Sequence, residues 1–138
     1  MAYLSETDME AMVELKVSGV ERAVLECAEQ NGMQERTTYG SFSSSVIQTI
    51  KKLRPESETI YIISNPTVFN DIVKNPSRLS FDAASVALGL LTEDAVCSLH
   101  LSGKRVLAWT LNSIEEIQRA IEIGVDGVIS DYPDLMKG

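Results

Sequence analysis

Apolar and polar positions along the chain form two alternating kinds of segment. Short runs rich in β-branched, aliphatic and aromatic residues recur roughly every 20 to 26 residues and predict strands. They lie at 13–17, 37–42, 59–63, 85–88, 105–109 and 127–130. Segments between them carry the spacing of amphipathic helices. This alternation predicts an α/β fold of about six parallel βα units, with helices covering the sheet.

Helix start and stop signals support this assignment. Helical patterns are clear at 20–28 and 46–53, whereas 65–80 shows only a short one near 68–74. Hydroxyl side chains that can cap helix starts are Ser43 or Ser44, Thr92 and Ser113. Glycines placed to end helices are Gly32, Gly103 and Gly124. Each of these glycines leads into the next predicted strand after a short gap.

Composition and charge narrow the class of protein. The chain has 138 residues, of which 44% are hydrophobic, and this suits one globular domain over 1–138. Residues 1–12 form a leader whose structure the sequence leaves open: it is an acidic helix that leads into the first strand, or in part a start that does not belong to the fold. The net charge of −8, with no basic stripe, disfavours binding to nucleic acid or to an anionic membrane.

No targeting or spanning segment is visible. No apolar run approaches the roughly 20 residues that a spanning helix needs, and the start lacks a signal-peptide pattern. We therefore expect a cytoplasmic protein, although a signal missing from the start would change this.

Two cysteines and one histidine limit the chemistry available. Cys27 and Cys97 are far apart and lack metal-ligand spacing, so we expect both to be reduced and buried. His100 lies in a stretch with helical spacing and is expected to be a partly exposed helix residue. A chain with a single histidine is poorly equipped for acid–base chemistry that needs two.

Two charges stand on one side of the first predicted strand. Since alternate strand residues share a face, Glu14 and Lys16 point one way while Val13, Leu15 and Val17 point the other. If helices cover the apolar side, the two charges point into the sheet's other face, where burial requires a partner, a metal or a ligand. A simple salt bridge, or a strand with one solvated face, is the alternative, and the pattern by itself favours it.

The C-terminal motifs are the most specific part of the sequence. Residues 103–112 read Gly-Lys-Arg-Val-Leu-Ala-Trp-Thr-Leu-Asn, and 124–133 read Gly-Val-Asp-Gly-Val-Ile-Ser-Asp-Tyr-Pro. Together with Glu-Leu-Lys at 14–16 and Ser-Phe at 41–42, in this order, the sequence resembles the glycerophosphodiester phosphodiesterases. Val128 and Ser130 are mild departures, since that family usually has isoleucine and threonine there.

The resemblance implies a fold, a reaction and three site residues. The family is a TIM-type barrel that hydrolyses glycerophosphodiesters to glycerol 3-phosphate and an alcohol, usually with Mg²⁺ or Ca²⁺, and serves lipid and glycerol metabolism. By this resemblance Glu14 is a metal ligand, Lys16 faces the substrate phosphate and Trp109 lies beside the glycerol. A core indole is the alternative for Trp109. Helix-start, turn or strand-end roles, rather than catalytic ones, are expected of Asn112, Ser113, Asp126 and Asp131.

The same resemblance exposes a departure. The family's His-Arg-Gly motif, its Glu-x-Asp metal pair and its second histidine do not occur in the thirteen residues before Glu14. No catalytic residue is therefore assigned, whether the chain is an enzyme is left open, and an isolated truncated chain is expected to be inactive. A partial TIM-type barrel is predicted, because six strands are visible where a closed barrel has about eight.

An open sheet of this kind leaves edges that need a partner. We expect a homo-oligomer or a second chain that supplies the missing strands. A noncatalytic module that binds an anion such as glycerol phosphate, or that serves oligomerisation, is the alternative function. A flavodoxin-like domain ranks below both, because no glycine-rich phosphate loop follows the first strand.

Overall fold

The computed structural model describes residues 10–136 of the chain. They form two compact units. The first unit comprises residues 10–62 with Ser80–Asp82, and the second comprises Ile63–Leu79 with 83–136. Most of the predicted leader, residues 1–9, lies outside the described part. The prediction of a single domain over 1–138 stays a prediction.

The first unit is built from three parallel strands and two helices. In chain order these are β1 (Ala11–Glu14), α1 (Glu21–Gln30), β2 (Thr37–Ser41), α2 (Ser44–Leu53) and β3 (Glu58–Ile63). β2 pairs in parallel with both β1 and β3. In this register Glu14 lies opposite Gly40.

The second unit repeats the same alternation. It contains α3 (Pro66–Lys74), β4 (Ala83–Ala87), α4 (Glu93–Leu101), β5 (Arg105–Trp109), α5 (Ile114–Ile123) and β6 (Gly127–Val128). Three short 3₁₀ turns follow α3, β4 and β6, at Pro76–Arg78, Leu88–Leu90 and Pro133–Met136. β5 pairs in parallel with both β4 and β6. The predicted α/β class, with six βα-type strands, is confirmed.

The core of the first unit explains why β1 alternates. Leu15 lies buried in a cluster with residues of α1, β2 and α2, and Val13 packs against that cluster. The buried members are Leu15, Leu25, Ala28, Met33, Tyr39, Val46 and Ile50. Removing this apolar surface from water drives the helices onto one face of the strands and leaves the other face to Glu14 and Lys16.

The predicted caps are confirmed by their hydrogen bonds. The hydroxyls of Ser43, Thr92 and Ser113 each accept the backbone N–H three residues later, at 3.4, 3.1 and 3.2 Å. Gly124 ends α5 with φ of 89°, a left-handed conformation that side-chain-bearing residues avoid. Local sequence rules thus placed these helix ends correctly.

Several boundaries and burials differ from the sequence predictions. β1 begins at Ala11 rather than at position 13 and therefore takes in the end of the predicted leader. It ends at Glu14, so Val17 lies beyond the strand with 61% of its surface exposed, and its predicted place on the apolar face is wrong. Cys27 and Cys97 are free thiols but exposed, because their helix positions face solvent; the prediction that they are buried is also wrong.

Candidate functional site

Glu14 and Lys16 lie together at the carboxyl end of β1. The Lys16 ammonium is 3.9 Å from a Glu14 carboxylate oxygen, and the two side chains are 81% and 31% exposed. Leu15 between them is buried, so the predicted division of the two faces is confirmed for these three residues. The pair is a solvated ion pair, whose own contribution to stability is small. Its lysine is accessible to an anionic ligand.

A shallow cleft of about 360 Å³ surrounds this pair. Its lining residues are Glu14, Leu15, Lys16, Ser41, Phe42 and Ser43. The buried Ser41 hydroxyl donates to the Leu15 carbonyl at 2.7 Å and accepts the Ser43 N–H at 3.1 Å. Ser41 therefore ties the residue between the two charges to the end of β2. Sequence reasoning used Ser41 only as part of a motif and missed this role, which depends on a contact between strands.

The described residues do not by themselves make a divalent-metal site. Mg²⁺ and Ca²⁺ take six or more oxygen ligands, which in proteins include one or more carboxylates beside carbonyls, phosphates or waters. Within residues 10–136 no group of three histidine, cysteine, aspartate or glutamate side chains is arranged to hold a metal ion. Glu14 offers one carboxylate, and that carboxylate faces a lysine. A bound metal would need ligands in addition to those described.

Trp109 lies in the second unit, at the end of β5. Its backbone is opposite Ala87 of β4, and its indole N–H donates to the Ser85 carbonyl at 3.0 Å. The side chain is half-buried. The hydrogen bond to Ser85 holds the ring at the edge that carries the N–H group. This arrangement satisfies the indole donor within the fold and fixes the orientation of the ring.

Asn112 and Asp131 meet beyond the ends of β5 and β6. The Asn112 side-chain amide donates to the Asp131 carboxylate at 3.1 Å, and its oxygen accepts the Asp131 N–H at 3.0 Å. Ser113, next in the chain, caps α5 as predicted. The contact between Asn112 and Asp131 was not predicted, because nineteen residues separate them and no local pattern marks the pair.

His100 is a partly exposed residue of α4, as predicted, and it has a partner. Its Nε2 lies 2.8 Å from Asp126 Oδ2, which also accepts the Val106 N–H at 2.7 Å. Partial burial pushes the pKa of Asp126 upward. The Val106 N–H, the hydrogen bond and charge of His100, and the charge of Arg105 outweigh this and hold that pKa below its usual value. The histidine is thus engaged in a structural contact.

These motifs and contacts can be compared with known proteins. The sequence profile of the glycerophosphoryl diester phosphodiesterase family matches residues 2–135, nearly the whole chain. The chain belongs to that family.

Curated and solved relatives agree with the family. A glycerophosphodiester phosphodiesterase from Bacillus altitudinis is 28% identical over 131 residues, covering 88% of this chain and 52% of its own length. A solved candidate glycerophosphodiester phosphodiesterase from Galdieria sulphuraria is 27% identical with a TM-score of 0.78, covering 93% and 56%. An Oleispira antarctica phosphodiesterase, solved with the product sn-glycerol-3-phosphate, is 23% identical with a TM-score of 0.76, covering 94% and 56%.

Two conclusions follow from these comparisons. The fold is α/β of the TIM-barrel type and corresponds to part of such a barrel, as predicted. The chain spans about half the length of the curated relatives it matches. Independently of this, none of the helices described within residues 10–136 has the length and apolar character needed to cross a bilayer.

Proposed function

We propose that Glu14 and Lys16, in the first unit of this glycerophosphoryl diester phosphodiesterase family chain, serve a site for the phosphate of glycerophosphodiesters, and that Trp109, in the second unit, serves binding of the glycerol moiety. The observation that carries the proposal is the exposed Lys16 ammonium beside Glu14, at the carboxyl end of a parallel strand and on a cleft. In TIM-type barrels ligand groups come from this end of the strands. The reaction proposed for a family site of this kind is hydrolysis to glycerol 3-phosphate and an alcohol.

Lys16 is proposed to face the phosphate. A lysine ammonium is a compact cation with three donors and can offset the charge that a phosphodiester carries and develops during hydrolysis. Its 81% exposure leaves these donors available to a ligand.

Glu14 is proposed as one ligand of Mg²⁺ or Ca²⁺, the hard cations that carboxylate oxygens favour. Such an ion, when bound, polarises a phosphoryl oxygen. The 3.9 Å separation of Glu14 and Lys16 would bring the phosphate charge near both the lysine and the metal.

Trp109 is proposed to lie beside the glycerol moiety. The indole N–H bond to Ser85 orients the ring, and an indole ring has an apolar face. The C–H side of glycerol suits such a face. A product complex of the Oleispira antarctica relative with sn-glycerol-3-phosphate supports this choice of ligand class.

Residues 1–138 by themselves are proposed not to catalyse hydrolysis. The sequence has one histidine, His100, and its imidazole is engaged with Asp126 in the second unit. Loss of a positioned acid–base group typically costs about 10² to 10⁴ in rate. The isolated chain is therefore expected to bind the product without forming it, which makes it an anion-binding module when tested alone.

Binding is tested by titration calorimetry with glycerol 3-phosphate. Lys16→Met removes a charge-assisted contact and is expected to weaken binding about 10- to 100-fold. Lys52→Met is the matched control, since Lys52 is also exposed and lies on α2 outside the cleft. Absence of any heat for the unmodified chain, or equal losses in the two variants, would remove the proposed phosphate role.

Hydrolysis is tested with glycerophosphocholine in the presence of Mg²⁺ or Ca²⁺. We expect no release of glycerol 3-phosphate from the 138-residue chain. Metal-dependent release that Glu14→Gln abolishes would overturn the proposed inactivity while keeping Glu14 in the site.

Self-association is the remaining part of the proposal. Among the described strands, β1 pairs only with β2, and β6 pairs only with β5. Free strand edges favour pairing with another chain. We expect a homo-oligomer, or a complex with a chain that supplies further strands, and light scattering of the purified chain distinguishes a monomer from a self-associated species.

A further inference from the structure

A hydrogen-bonded contact, here named the Asn112–Asp131 brace, joins the chain beyond β5 to the chain beyond β6. Both ends of the Asn112 amide take part: its nitrogen donates to the Asp131 carboxylate, and its oxygen accepts the Asp131 N–H. The Ser130 hydroxyl donates to the same oxygen at 3.4 Å. One side chain thus satisfies three groups of the neighbouring segment.

The brace lies at the end of a short connection that leaves β5 after Trp109 and is held by further contacts. Leu111 is fully buried, and its N–H donates to the Ile129 carbonyl at 2.8 Å. The Asn112 N–H donates to the Glu116 carboxylate at 3.1 Å, which holds the same residue to the first turn of α5. The stretch from Trp109 to Asn112 is therefore fixed at its start by strand pairing and at its end by the brace.

We propose that Asn112 is a positioning residue for Trp109, acting through its contact with Asp131. The inference rests on the proposed function, in which the Trp109 ring lies beside the glycerol moiety. The indole N–H bond to Ser85 holds one edge of the ring. The brace holds the backbone that follows the end of the strand, and this restricts movement of the connection next to Trp109.

The chemistry of the pair suggests a sharp perturbation. Asn112→Asp places a second carboxylate at hydrogen-bonding distance from that of Asp131, and the donor that joined them is lost. Adding Asp131→Asn to this variant exchanges the two residues. The amide at position 131 then donates to the carboxylate at position 112. A carboxylate at position 112 can still accept the N–H of residue 131. Since both side chains are exposed, the single variant is expected to fold.

Trp109 is the sole tryptophan, so its fluorescence reports on this site alone. We expect Asn112→Asp to shift the emission to longer wavelength and to raise acrylamide quenching. Affinity for glycerol 3-phosphate is expected to fall by roughly two- to tenfold, the range for loss of one hydrogen bond. The exchanged double variant is expected to recover both signals, with far-UV circular dichroism confirming the fold of every variant.

Ser113→Ala is the matched control, because it removes the cap of α5 and leaves the brace intact. An unchanged Trp109 signal in Asn112→Asp, no recovery in the exchanged variant, or an equal change in Ser113→Ala would overturn the inference. If the unmodified chain binds no glycerol 3-phosphate, the proposed ligand is wrong, and the fluorescence comparison alone decides the positioning role.

Discussion

The Lys51 ammonium makes the most concentrated set of polar contacts described in the first unit. It lies 2.6 Å from an Asp82 carboxylate oxygen, and it donates to the Ser57 carbonyl at 2.6 Å and to the Pro55 carbonyl at 3.4 Å. Only 16% of the Lys51 side chain is exposed. We expect Lys51→Met, which keeps the aliphatic stem and removes the charge, to destabilise the protein measurably.

The cost can be bounded from the partners left behind. Breaking a fully buried ion pair costs about 3–5 kcal/mol, whereas exposed pairs contribute about 0–1 kcal/mol. The Asp82 carboxylate is 38% exposed and keeps the Thr59 N–H at 2.8 Å and the Thr59 hydroxyl at 3.3 Å. Asp82 therefore keeps two hydrogen-bond donors in the variant, and the Ser57 and Pro55 carbonyls each lose one. We expect the free energy of unfolding to fall by about 2 kcal/mol, between those limits.

Urea unfolding measures this change, and the neighbouring lysine provides the control. Lys52→Met makes the same substitution on the same helix at an exposed position, alters the net charge equally, and should change stability by less than about 0.5 kcal/mol. With a typical urea dependence, the Lys51 variant should unfold about 1 M earlier. Midpoints that differ by no more than the error between the two variants would refute the reasoning.

Three further substitutions test individual contacts. A Cβ added by Gly40→Ala would lie 2.6 Å from the Met12 methyl group. Since the end of the methionine side chain can move, we expect the free energy of unfolding, measured by thermal unfolding, to fall by only about 1 kcal/mol. Adding Met12→Ala should restore it. Gly124→Ala, at φ of 89°, should cost about 1–2 kcal/mol in the same assay, and no loss would exclude strain there. The lowered pKa of Asp126 stabilises the fold above the unfolded-state value of about 3.9, and this contribution disappears as the pH falls through the folded-state pKa. Asp126→Asn should therefore lower the melting temperature at pH 7 and much less at pH 2, with a similar loss at both pH values arguing against the His100 and Val106 contacts.

Much of the fold could be predicted because its signals are local. The exposed–buried–exposed order of Glu14, Leu15 and Lys16 is the one that strand geometry predicts, and it continues past the end of β1 because the Leu15 N–H still donates to the Gly40 carbonyl. The caps at Thr92 and Ser113 depend on residues three positions away, so they could also be predicted from the sequence. In both cases the sequence contains the whole interaction within one turn or one strand.

The errors have a common physical origin in tertiary packing. Val17 is apolar and continues the alternation, yet β1 has already ended, and the elements described within residues 10–136 leave most of its surface exposed. Cys27 is a residue type that is usually buried, but its position on α1 faces solvent. The His100–Asp126 and Asn112–Asp131 contacts join residues 26 and 19 positions apart, and only folding brings them together.

The polar contacts divide according to the end of the strand at which they lie. At the amino ends, Asp82 holds Thr59 near the start of β3, and Asp126 holds Val106 near the start of β5. At the carboxyl ends lie the Glu14–Lys16 pair, in the first unit, and Asn112, in the second. In TIM-type barrels the amino ends serve stability and the carboxyl ends serve chemistry.

This division leads to a prediction about pairs of variants. Lys51→Met should lower the free energy of unfolding and leave the affinity for glycerol 3-phosphate unchanged, because Lys51 binds only groups of the fold. Lys16→Met should weaken binding of glycerol 3-phosphate and leave the free energy of unfolding nearly unchanged. The reason is that the Lys16 ammonium is largely solvated and its contact with Glu14 contributes little to stability. Urea unfolding and titration calorimetry on both variants measure the two quantities. If Lys16→Met lowered the free energy of unfolding as much as Lys51→Met, the contact between Lys16 and Glu14 would be mainly structural. The proposed role of Lys16 in phosphate binding would then lose its physical basis.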